Sequence, residues 1–426
     1  MEKKKVLVVG GGGREHAIVD ALARSPQVGL ILCAPGNAGI VAQARCVPIG
    51  DGDVAALLDL ARQEAVDLTV VGPEVPLSKG IADAFAAEGL RIFGPSAAAA
   101  RIESSKDFAK SLMEKYGVPT ARYRTFDAFD AAWDYVRGGS FPVVLKYDGL
   151  AAGKGVVIAQ TPSEAESTLR DMLLDARFGA GKVVVEEFLT GPEFSFMCLV
   201  DGEEVCPLAL AQDHKRAFEG DEGPNTGGMG AYSPVPLITP EDEAYALEHI
   251  MKPVAAALVA EGCPFKGILY GGLMKTPSGI QVIEFNCRFG DPETEVVLPR
   301  LRSDIYALFS AVADGQPIPP PVWDPYPVLG FVLASKGYPG SYQKGFPIEG
   351  LAEVTADPDV TVYHMGTSIR DGQVCTAGGR VLMALARGKD LAAARDKALA
   401  AAGGIRCDNL FYRRDIGWRV LETGRP

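Results

Sequence analysis

The chain has 426 residues, a hydrophobic content of 47% and a formal net charge of −12 at pH 7. This length predicts roughly two to four domains with substantial cores. The negative charge argues against a general nucleic-acid binder, although it leaves room for a local basic site that binds a small anion.

Cysteine usage indicates a reducing compartment. The eight cysteines are scattered without a Cys-x-x-Cys pair, and only four histidines occur. This pattern predicts free thiols rather than a disulfide framework or a zinc site. Residues 1–5 precede only four apolar residues, too few for a signal peptide, and no apolar run of about 18 residues follows. We therefore expect a cytoplasmic protein that binds neither membrane nor nucleic acid.

The first hundred residues alternate short apolar strands with helical patterns, and the strands are predicted at residues 6–9, 30–33, 68–71 and 90–93. This alternation predicts a doubly wound parallel sheet, with ligands beyond the carboxyl ends of its strands. We assign this α/β domain to residues 1–103. After the third strand, Glu74 can accept hydrogen bonds from a sugar or an amine, or it can be a solvated turn residue.

A glycine loop joins the first strand to the first helix. Bare amides at a helix N-terminus bind phosphates or carboxylates, which makes Gly11, Gly12 and Gly13 candidate ligands. Glu15 stands where the dinucleotide fingerprint has its third glycine, and this argues against NAD. The alternative is a loop whose glycines only permit tight packing.

A second glycine-rich turn lies within residues 141–157, between two predicted strands. Lys146 stands near the end of the first strand, and the turn contains Gly149, Gly153, Lys154 and Gly155. No helix follows, so the segment is not a P-loop. The turn can fold over phosphates with its amides and Lys154, while Lys146 neutralises phosphate oxygens. The alternative for Lys146 is a lysine that snorkels to solvent.

An apolar strand at residues 183–189 carries Glu186 and Glu187, and Glu193 follows it. Such an element can offer main-chain groups to an adenine edge, and Glu193 can accept hydrogen bonds from ribose hydroxyls. Acids after a strand are usually solvated, so this signal is weak by itself.

Residues 213–234 have no predicted secondary structure, and a stretch of this length is usually functional or disordered. Its polar and glycine residues suit a small anionic substrate, and the candidates are Asp213, Lys215, Arg216, Asn225, Thr226, Gly227 and Gly228. The alternative is a mobile surface loop.

Residues 279–286 are predicted to form a strand. Side chains two residues apart share a face, so Glu284, Asn286 and Arg288 project together if the strand persists. A carboxylate beside an amide oxygen offers the hard ligands that Mg²⁺ takes next to nucleotide phosphates. An arginine fork suits a phosphate or an acyl phosphate. The alternative is an edge strand with a solvated face.

Further patterns complete the prediction. Helices are expected at residues 126–136, 241–261 and 293–314, and a proline-rich boundary follows at 317–327. The final hundred residues are predicted to form a unit of their own, which includes a strand at 352–355.

These motifs coincide in one family. The chain resembles the ATP-grasp ligases, and within them the phosphoribosylamine–glycine ligases (glycinamide ribonucleotide synthetases), over essentially its whole length. The most specific segments are residues 10–17, 146–156, 223–234 and 284–293. The resemblance implies an α/β and α+β multidomain fold with a split ATP-grasp core at 104–320, a mobile lid at 121–192 and a small C-terminal α+β domain at 328–426.

The resemblance also implies a reaction. ATP would drive ligation of glycine to 5-phosphoribosylamine through glycyl phosphate in de novo purine biosynthesis, with Mg²⁺ or Mn²⁺ as the metal. Phosphate binding would fall to Lys106, Lys146 and the loop at 149–155. Adenine and ribose would be bound by Glu186, Glu187, Leu189 and Glu193. Glu284 and Asn286 would bind metal, and the catalytic residues would be Lys146, Lys215 and Arg288.

One departure from the wider superfamily concerns the metal site. Many ATP-grasp enzymes carry a further acidic ligand on the preceding strand, but residues 267–275 contain no acid, so a second metal is in doubt. The rival interpretations are another ATP-grasp carboxylate–amine ligase, a biotin-dependent carboxylase and a non-catalytic nucleotide-binding protein. We expect a monomer, with a dimer as the alternative.

Overall fold

A parallel sheet begins the chain. The computed structural model describes residues 3–149, 155–175, 179 and 181–421. The first elements are β1 (Lys4–Gly10), α1 (Gly13–Ala23), β2 (Val28–Pro35), β3 (Arg45–Cys46), α2 (Val54–Gln63), β4 (Leu68–Val71), α3 (Glu74–Ser78), α4 (Ile81–Ala87) and β5 (Ile92–Phe93). The strand order is β3-β2-β1-β4-β5. The central strand β1 is buried from Val6 onward and consists there of consecutive apolar residues and Gly10. This is expected for a sheet that is covered on both faces.

Two helices lead to a four-stranded antiparallel sheet, which we call the lid sheet. The elements are α5 (Ala97–Ser104), α6 (Lys106–Tyr116), β6 (Tyr123–Phe126), α7 (Phe129–Arg137), β7 (Val143–Tyr147), β8 (Val156–Ala159), α8 (Pro162–Leu173) and β9 (Val183–Glu187). The lid sheet has the order β6-β9-β7-β8 and its own core around Leu145 and Leu169. The helix predicted from residue 126 begins later, because Phe126 ends a strand that pairs with β9.

A second four-stranded antiparallel sheet, β11-β10-β16-β17, follows. The elements of this region are β10 (Glu193–Asp201), β11 (Glu204–Pro207), β12 (Gln212–Asp213), β13 (Arg216–Phe218), β14 (Glu222–Asn225), β15 (Gly230–Ser233), α9 (Pro240–Ala246), a π-helical turn (Leu247–Met251), α10 (Lys252–Ala260), β16 (Lys266–Thr276), β17 (Gly279–Asn286), α11 (Glu293–Val297) and α12 (Ile305–Asp314).

Two expectations for this region are wrong. The segment 213–234 is not free of secondary structure, since β13 pairs with β14 and β12 pairs with β15. The helix predicted at 293–314 is broken: α11 passes into a 3₁₀ turn, Leu298–Arg300, and α12 starts anew where Asp304 caps the Tyr306 amide at 3.0 Å. Pro299 explains the break, because proline lacks the N–H that a continuing helix needs.

The final segment adds β18 (Val328–Ser335), α13 (Leu351–Val354), β19 (Val360–His364), β20 (Thr367–Arg370), β21 (Gln373–Thr376), β22 (Arg380–Arg387), α14 (Leu391–Gly404), β23 (Leu410–Phe411) and α15 (Trp418–Leu421). Its sheet runs β12-β15-β18-β22-β19, with β23 on β18. The final hundred residues therefore share a sheet with strands from the segment 213–234 rather than forming one alone. We call residues 213–234 the substrate segment, after the prediction made for them.

The strand predicted at 352–355 is wrong. The segment is the short helix α13, which starts after Gly350 at a φ of +88°, a conformation that glycine adopts readily. In the described ranges, no helix is long and apolar enough to cross a bilayer. The chain is an α/β and α+β multidomain protein with an N-terminal parallel sheet, as predicted.

Candidate active site

A cavity of about 430 Å³ lies between the N-terminal sheet, the lid sheet, β17 and the final segment. The predicted residues that line it are Glu74, Lys106, Lys146, Gly149, Gly155, Glu186, Asp213, Lys215, Thr226, Gly227, Glu284, Asn286 and Arg288. Side chains that the sequence patterns did not single out as site residues join them, namely Arg14, Glu103, Lys110, Tyr270, Tyr338 and Arg380.

Other predicted residues do not line this cavity. They are Gly11, Gly12, Gly13, Glu187, Leu189, Glu193, Arg216, Asn225 and Gly228. Gly153 and Lys154 lie outside the described residues. The structure therefore brings together most of the predicted phosphate and metal residues, but only part of the predicted substrate set.

The floor of the cavity carries the two candidate metal ligands on β17. Phe285 and Cys287 alternate with these residues and are buried, at 3% and 1% exposure, whereas Glu284 and Asn286 are half-buried and line the cavity. Over the described ranges the Glu284 carboxylate has neither a hydrogen bond nor an ion pair. An unpaired carboxylate beside an amide oxygen fits a hard divalent cation that keeps water or phosphate as its remaining ligands.

Glu284 and Asn286 are the candidate metal ligands on β17. Within the described residues there is no cluster of three or more His, Cys, Asp or Glu side chains suited to a metal. The opposing segment of β16 presents Tyr270, Gly271 and Gly272 to these positions, none of which is acidic. This fits one metal that is completed by phosphate oxygens, as is common for Mg²⁺.

A buried ion triad joins the lid sheet to the rest of the site. Lys146 Nζ lies 2.9 Å from Glu186 Oε1, and Lys110 Nζ lies 2.9 Å from Glu186 Oε2. Lys146 also donates to the Ile283 carbonyl at 2.9 Å. At 4% exposure Lys146 does not snorkel to solvent. Burial lowers the pKa of Lys110 to about 8, and Glu186 opposes that shift.

Lys106 connects α6 to the glycine turn. It is the first residue of α6, whose N-terminus is capped by Ser105, and its Nζ donates to the Gly149 carbonyl at 3.0 Å. Burial lowers the pKa of Lys106, because a charged ammonium is costly away from water. The lysine thus stands at the described edge of the turn.

Arg288 is held by two acids. Its guanidinium lies 2.8 Å from Glu103 and 3.3 Å from Glu74. Burial disfavours the charged form, but Glu103 and Glu74 outweigh burial and raise the pKa of Arg288. Glu74 is therefore a positioning partner of the arginine rather than a solvated turn residue.

The substrate segment is fixed from the C-terminal side. Arg380 donates to the Gly227 carbonyl at 2.6 Å and to the Asp291 carbonyl at 2.9 Å, and it pairs with the Asp291 carboxylate at 2.9 Å. The Tyr338 hydroxyl accepts a hydrogen bond from the Gly227 amide at 3.1 Å. The final segment thus supplies part of the cavity wall.

The N-terminal glycine loop is already engaged. The Gly12 amide donates to Glu15 Oε2 at 2.6 Å, and Arg14 pairs with Glu15 Oε1 at 2.6 Å. A Cβ at Gly11 would lie 2.5 Å from a backbone carbonyl, and one at Gly13 would meet Glu295. These contacts favour the packing interpretation of the loop, and Arg14 is its residue on the cavity wall.

Three family models cover the chain in sequence. The Phosphoribosylglycinamide synthetase N domain matches residues 4–103, the ATP-grasp (A) domain residues 104–294 and the C domain residues 328–419.

Curated relatives agree over nearly the whole chain. Phosphoribosylamine–glycine ligase of Halalkalibacterium halodurans is 50% identical over 418 residues, covering 98% of this chain and 97% of the relative. The Pseudomonas aeruginosa protein of the same name is 48% identical over 426 residues, covering 99% of both chains.

Solved structures give the same picture. Phosphoribosylamine–glycine ligase of Thermotoga maritima superposes with a TM-score of 0.85 at 32% identity, covering 96% of this chain and 99% of that one. A biotin carboxylase of Campylobacter jejuni reaches 0.74 at 15% identity, covering 97% and 94%, which shows a shared fold alone. The matching models, the relatives and the ATP-grasp architecture agree, and the chain belongs to the phosphoribosylglycinamide synthetase family.

Proposed function

We propose that the chain joins glycine to 5-phosphoribosylamine with ATP and releases glycinamide ribonucleotide, ADP and phosphate, as a step of de novo purine biosynthesis. The observation that carries this proposal is the near full-length identity of 48% and 50% to relatives named phosphoribosylamine–glycine ligase. The cavity supports it with cationic side chains beside an unpaired carboxylate.

The proposed chemistry has two steps. The glycine carboxylate attacks the γ-phosphorus of ATP and displaces ADP, giving glycyl phosphate. The amine of phosphoribosylamine then attacks the activated carbonyl, an amide bond forms, phosphate leaves with the carbonyl–oxygen bond electrons, and the amine nitrogen releases a proton. No protein nucleophile is needed, so catalysis rests on positioning and charge stabilisation.

The two lysines and the arginine contact different phosphate groups. Lys106 and Lys146 neutralise the transferring phosphate, and Arg288 faces the acyl phosphate. Lys215 serves at the reacting centre. The glycine turn, including Gly153 and Lys154, covers the phosphates.

Main-chain groups of 186–189 take the adenine edge, since the Glu186 carboxylate already binds two lysines. Glu193 takes the ribose hydroxyls. Glu284 and Asn286 would hold Mg²⁺ or Mn²⁺, which supplies positive charge against the phosphate oxygens.

Phosphoribosylamine enters from the N-terminal side. Glu74 and the loop at Gly11, Gly12 and Gly13 remain its proposed neighbours, although Arg14 is the loop residue that lines the cavity. Glycine is held by the segment that contains Asp213, Arg216 and residues 225–228. We further propose a cytoplasmic location, in line with the free cysteine thiols of the described residues, and a monomeric state that gel filtration would test.

Substrate-dependent ADP release tests the activity. Release is expected with ATP, glycine and phosphoribosylamine together, and only background release with either co-substrate alone. No release above background with the full mixture would overturn the proposal. Equal release when another amino acid replaces glycine would instead indicate a different ATP-grasp carboxylate–amine ligase.

A further inference from the structure

A second cavity, of about 670 Å³, lies beside the edge strand β11. Its walls come from β11, the turn after β15, helix α9, the 3₁₀ turn at Leu298–Arg300 and the proline-rich segment 318–323. The buried apolar side chains that line it are Leu208, Leu210, Val235, Ile238 and Ile318. Among the described residues, it shares no lining residue with the candidate active site. Its volume is in the range of small-molecule sites.

Arg300 brings a positive charge to this cavity without an acid to neutralise it. The residue ends the 3₁₀ turn and is 7% exposed. Its guanidinium donates to the Ser233 hydroxyl at 2.6 Å and to the carbonyls of Tyr326 and Asp324 at 3.2 and 3.3 Å. These acceptors are neutral, and no carboxylate of the described chain is close enough for an ion pair. A guanidinium has five N–H donors, so two remain for a ligand.

The acid nearest to this arginine does not balance its charge. The Asp324 carboxylate accepts a hydrogen bond from the Tyr326 amide at 3.0 Å. Burial lowers the pKa of Arg300, and Asp324 only partly opposes that shift. A buried cation without a counter-charge is unfavourable, so an anion that enters the cavity would be stabilised there.

Glu243 supplies an unpaired negative charge on another wall of the same cavity. It lies on α9 and is half-buried, and its carboxylate has neither a hydrogen bond nor an ion pair in the described part of the chain. Burial raises the pKa of this carboxyl group, and a cation beside it would favour its charged form. Glu204, the other acid of the cavity, already accepts a hydrogen bond from the Ile318 amide at 2.8 Å.

The two unpaired charges do not neutralise each other. Arg300 and Glu243 line one cavity, but their side chains form no ion pair, and apolar side chains line the rest of the wall. A ligand with a carboxylate, an ammonium group and an apolar body would satisfy both charges at once. A phosphate dianion fits less well, because one arginine would have to offset it beside two acids.

We propose that this cavity binds a zwitterionic α-amino acid with an apolar side chain, whose carboxylate contacts Arg300 and whose ammonium group contacts Glu243. The buried side chains of Leu208, Val235 and Ile238 contact the apolar part. The charge complementarity of the cavity carries this assignment, and the site is independent of the proposed ligase reaction.

Equilibrium dialysis of the full-length protein with L-leucine, and separately with L-phenylalanine, tests the site. We expect saturable binding that excess ATP and glycine do not displace. Glu243→Gln should weaken binding about 10- to 100-fold, the range for a lost hydrogen bond to a charged group. Glu241→Gln, an exposed acid on the same helix, is the matched control and should bind like wild type.

Leucine analogues separate the two charges. Isocaproate lacks the ammonium group and isoamylamine lacks the carboxylate, so each should bind at least about tenfold more weakly than leucine. Glycine carries both charges without an apolar side chain and should also bind weakly. Equal binding of isocaproate and leucine would overturn the proposal, because the ammonium contact with Glu243 would then contribute nothing.

Tryptophan fluorescence locates the bound leucine. Trp323 lines the cavity, whereas Trp133 and Trp418 do not. Leucine should change the emission of wild type but not that of Trp323→Phe, and dialysis should show that this variant still binds leucine. No binding of either amino acid by wild type would overturn the proposal. Displacement of leucine by glycine, or an emission change that persists in Trp323→Phe, would place the ligand elsewhere and would also overturn it.

Discussion

At the scale of single residues, the site is a set of charges whose partners decide what each can do. Arg288 is clamped by Glu74 and Glu103, whereas the Glu284 carboxylate has no ion-pair partner in the part of the chain that the structure describes. A clamped arginine is positioned before substrate arrives. A carboxylate without an ion-pair partner can bind the metal ion that accompanies the nucleotide.

Glu284→Ala should therefore affect turnover far more than stability. The variant removes a proposed metal ligand but breaks no hydrogen bond or ion pair of the described structure. We expect ADP release to fall at least about 100-fold, since even indirect partners of a metal are worth 10- to 100-fold. The midpoint of thermal unfolding should move little. Gln281→Ala, on the same strand and away from the cavity, is the control, and normal turnover in the Glu284 variant would remove the metal assignment.

Glu186→Gln, in contrast, should lower the stability of the fold. Glu186 is the shared anion of Lys110 and Lys146, and all three side chains are at most 5% exposed. Removing one partner of a buried ion cluster costs about 3 kcal/mol or more. The free energy of unfolding from urea titrations measures this loss.

The neighbouring Glu187 provides the control for this experiment. It pairs at 2.7 Å with Arg122, whose side chain is 88% exposed, so Glu187→Gln should cost less than about 1 kcal/mol. Equal losses in the two variants would contradict the view that the triad holds the lid sheet against β17.

At the scale of elements, strand β22 contacts the substrate segment through Arg380 and holds it in place. Arg380 begins this strand and bonds the carbonyls of Gly227 and Asp291, while Arg387 ends it at the surface. A guanidinium donates hydrogen bonds to several acceptors in fixed directions, and a lysine ammonium cannot reproduce this planar arrangement of donors.

Arg380→Lys should accordingly raise KM for glycine and lower kcat, together by more than about tenfold in kcat/KM. KM for ATP should change less, because the contacts of Arg380 are with the substrate segment. Steady-state kinetics with each substrate varied in turn separate these effects. Arg387→Lys is the matched control on the same strand, and an equal loss in both variants would indicate a general effect on β22.

At the scale of the whole molecule, the N-terminal sheet and the final segment meet through two buried histidines. The His364 amide donates to His16 Nδ1 at 2.9 Å, and Asn37 bonds the carbonyls of both Gly11 and His364. Burial, with a smaller contribution from His364, lowers the pKa of His16 to about 3. Burial lowers the pKa of His364 to about 4.

This interface predicts acid sensitivity. Unfolded histidine has a pKa of about 6.5, so below that pH the unfolded chain binds protons that the folded chain refuses. Stability should fall as pH drops from about 6.5 toward 4, by up to about 1.4 kcal/mol per pH unit for each histidine. Urea unfolding at several pH values should show a shallower slope for His364→Gln. Parallel curves for the variant and wild type would contradict this interface effect.

The sequence alone determined much of the local structure, because local structure depends on local pattern. Apolar runs and alternation placed β1, β4, β7 and β17. The segments 10–17, 146–156, 223–234 and 284–293 indicated the family, and the family models and relatives confirm it. One error arose where a distant partner decides: β15, within the segment 213–234, is a strand that pairs with β18.

The tertiary structure alone decided which charges meet. Arg14, Arg380 and the pair of Glu103 and Lys110 come from three distant parts of the chain, and no local pattern marks them as neighbours of one cavity. Likewise, the sequence pattern suggests that Glu186 and Glu193 are solvated acids. In the structure, both carboxylates pair with lysines from other parts of the chain. Periodicity reports which face of an element is buried, but the charge that lies opposite a side chain is set by how the elements pack.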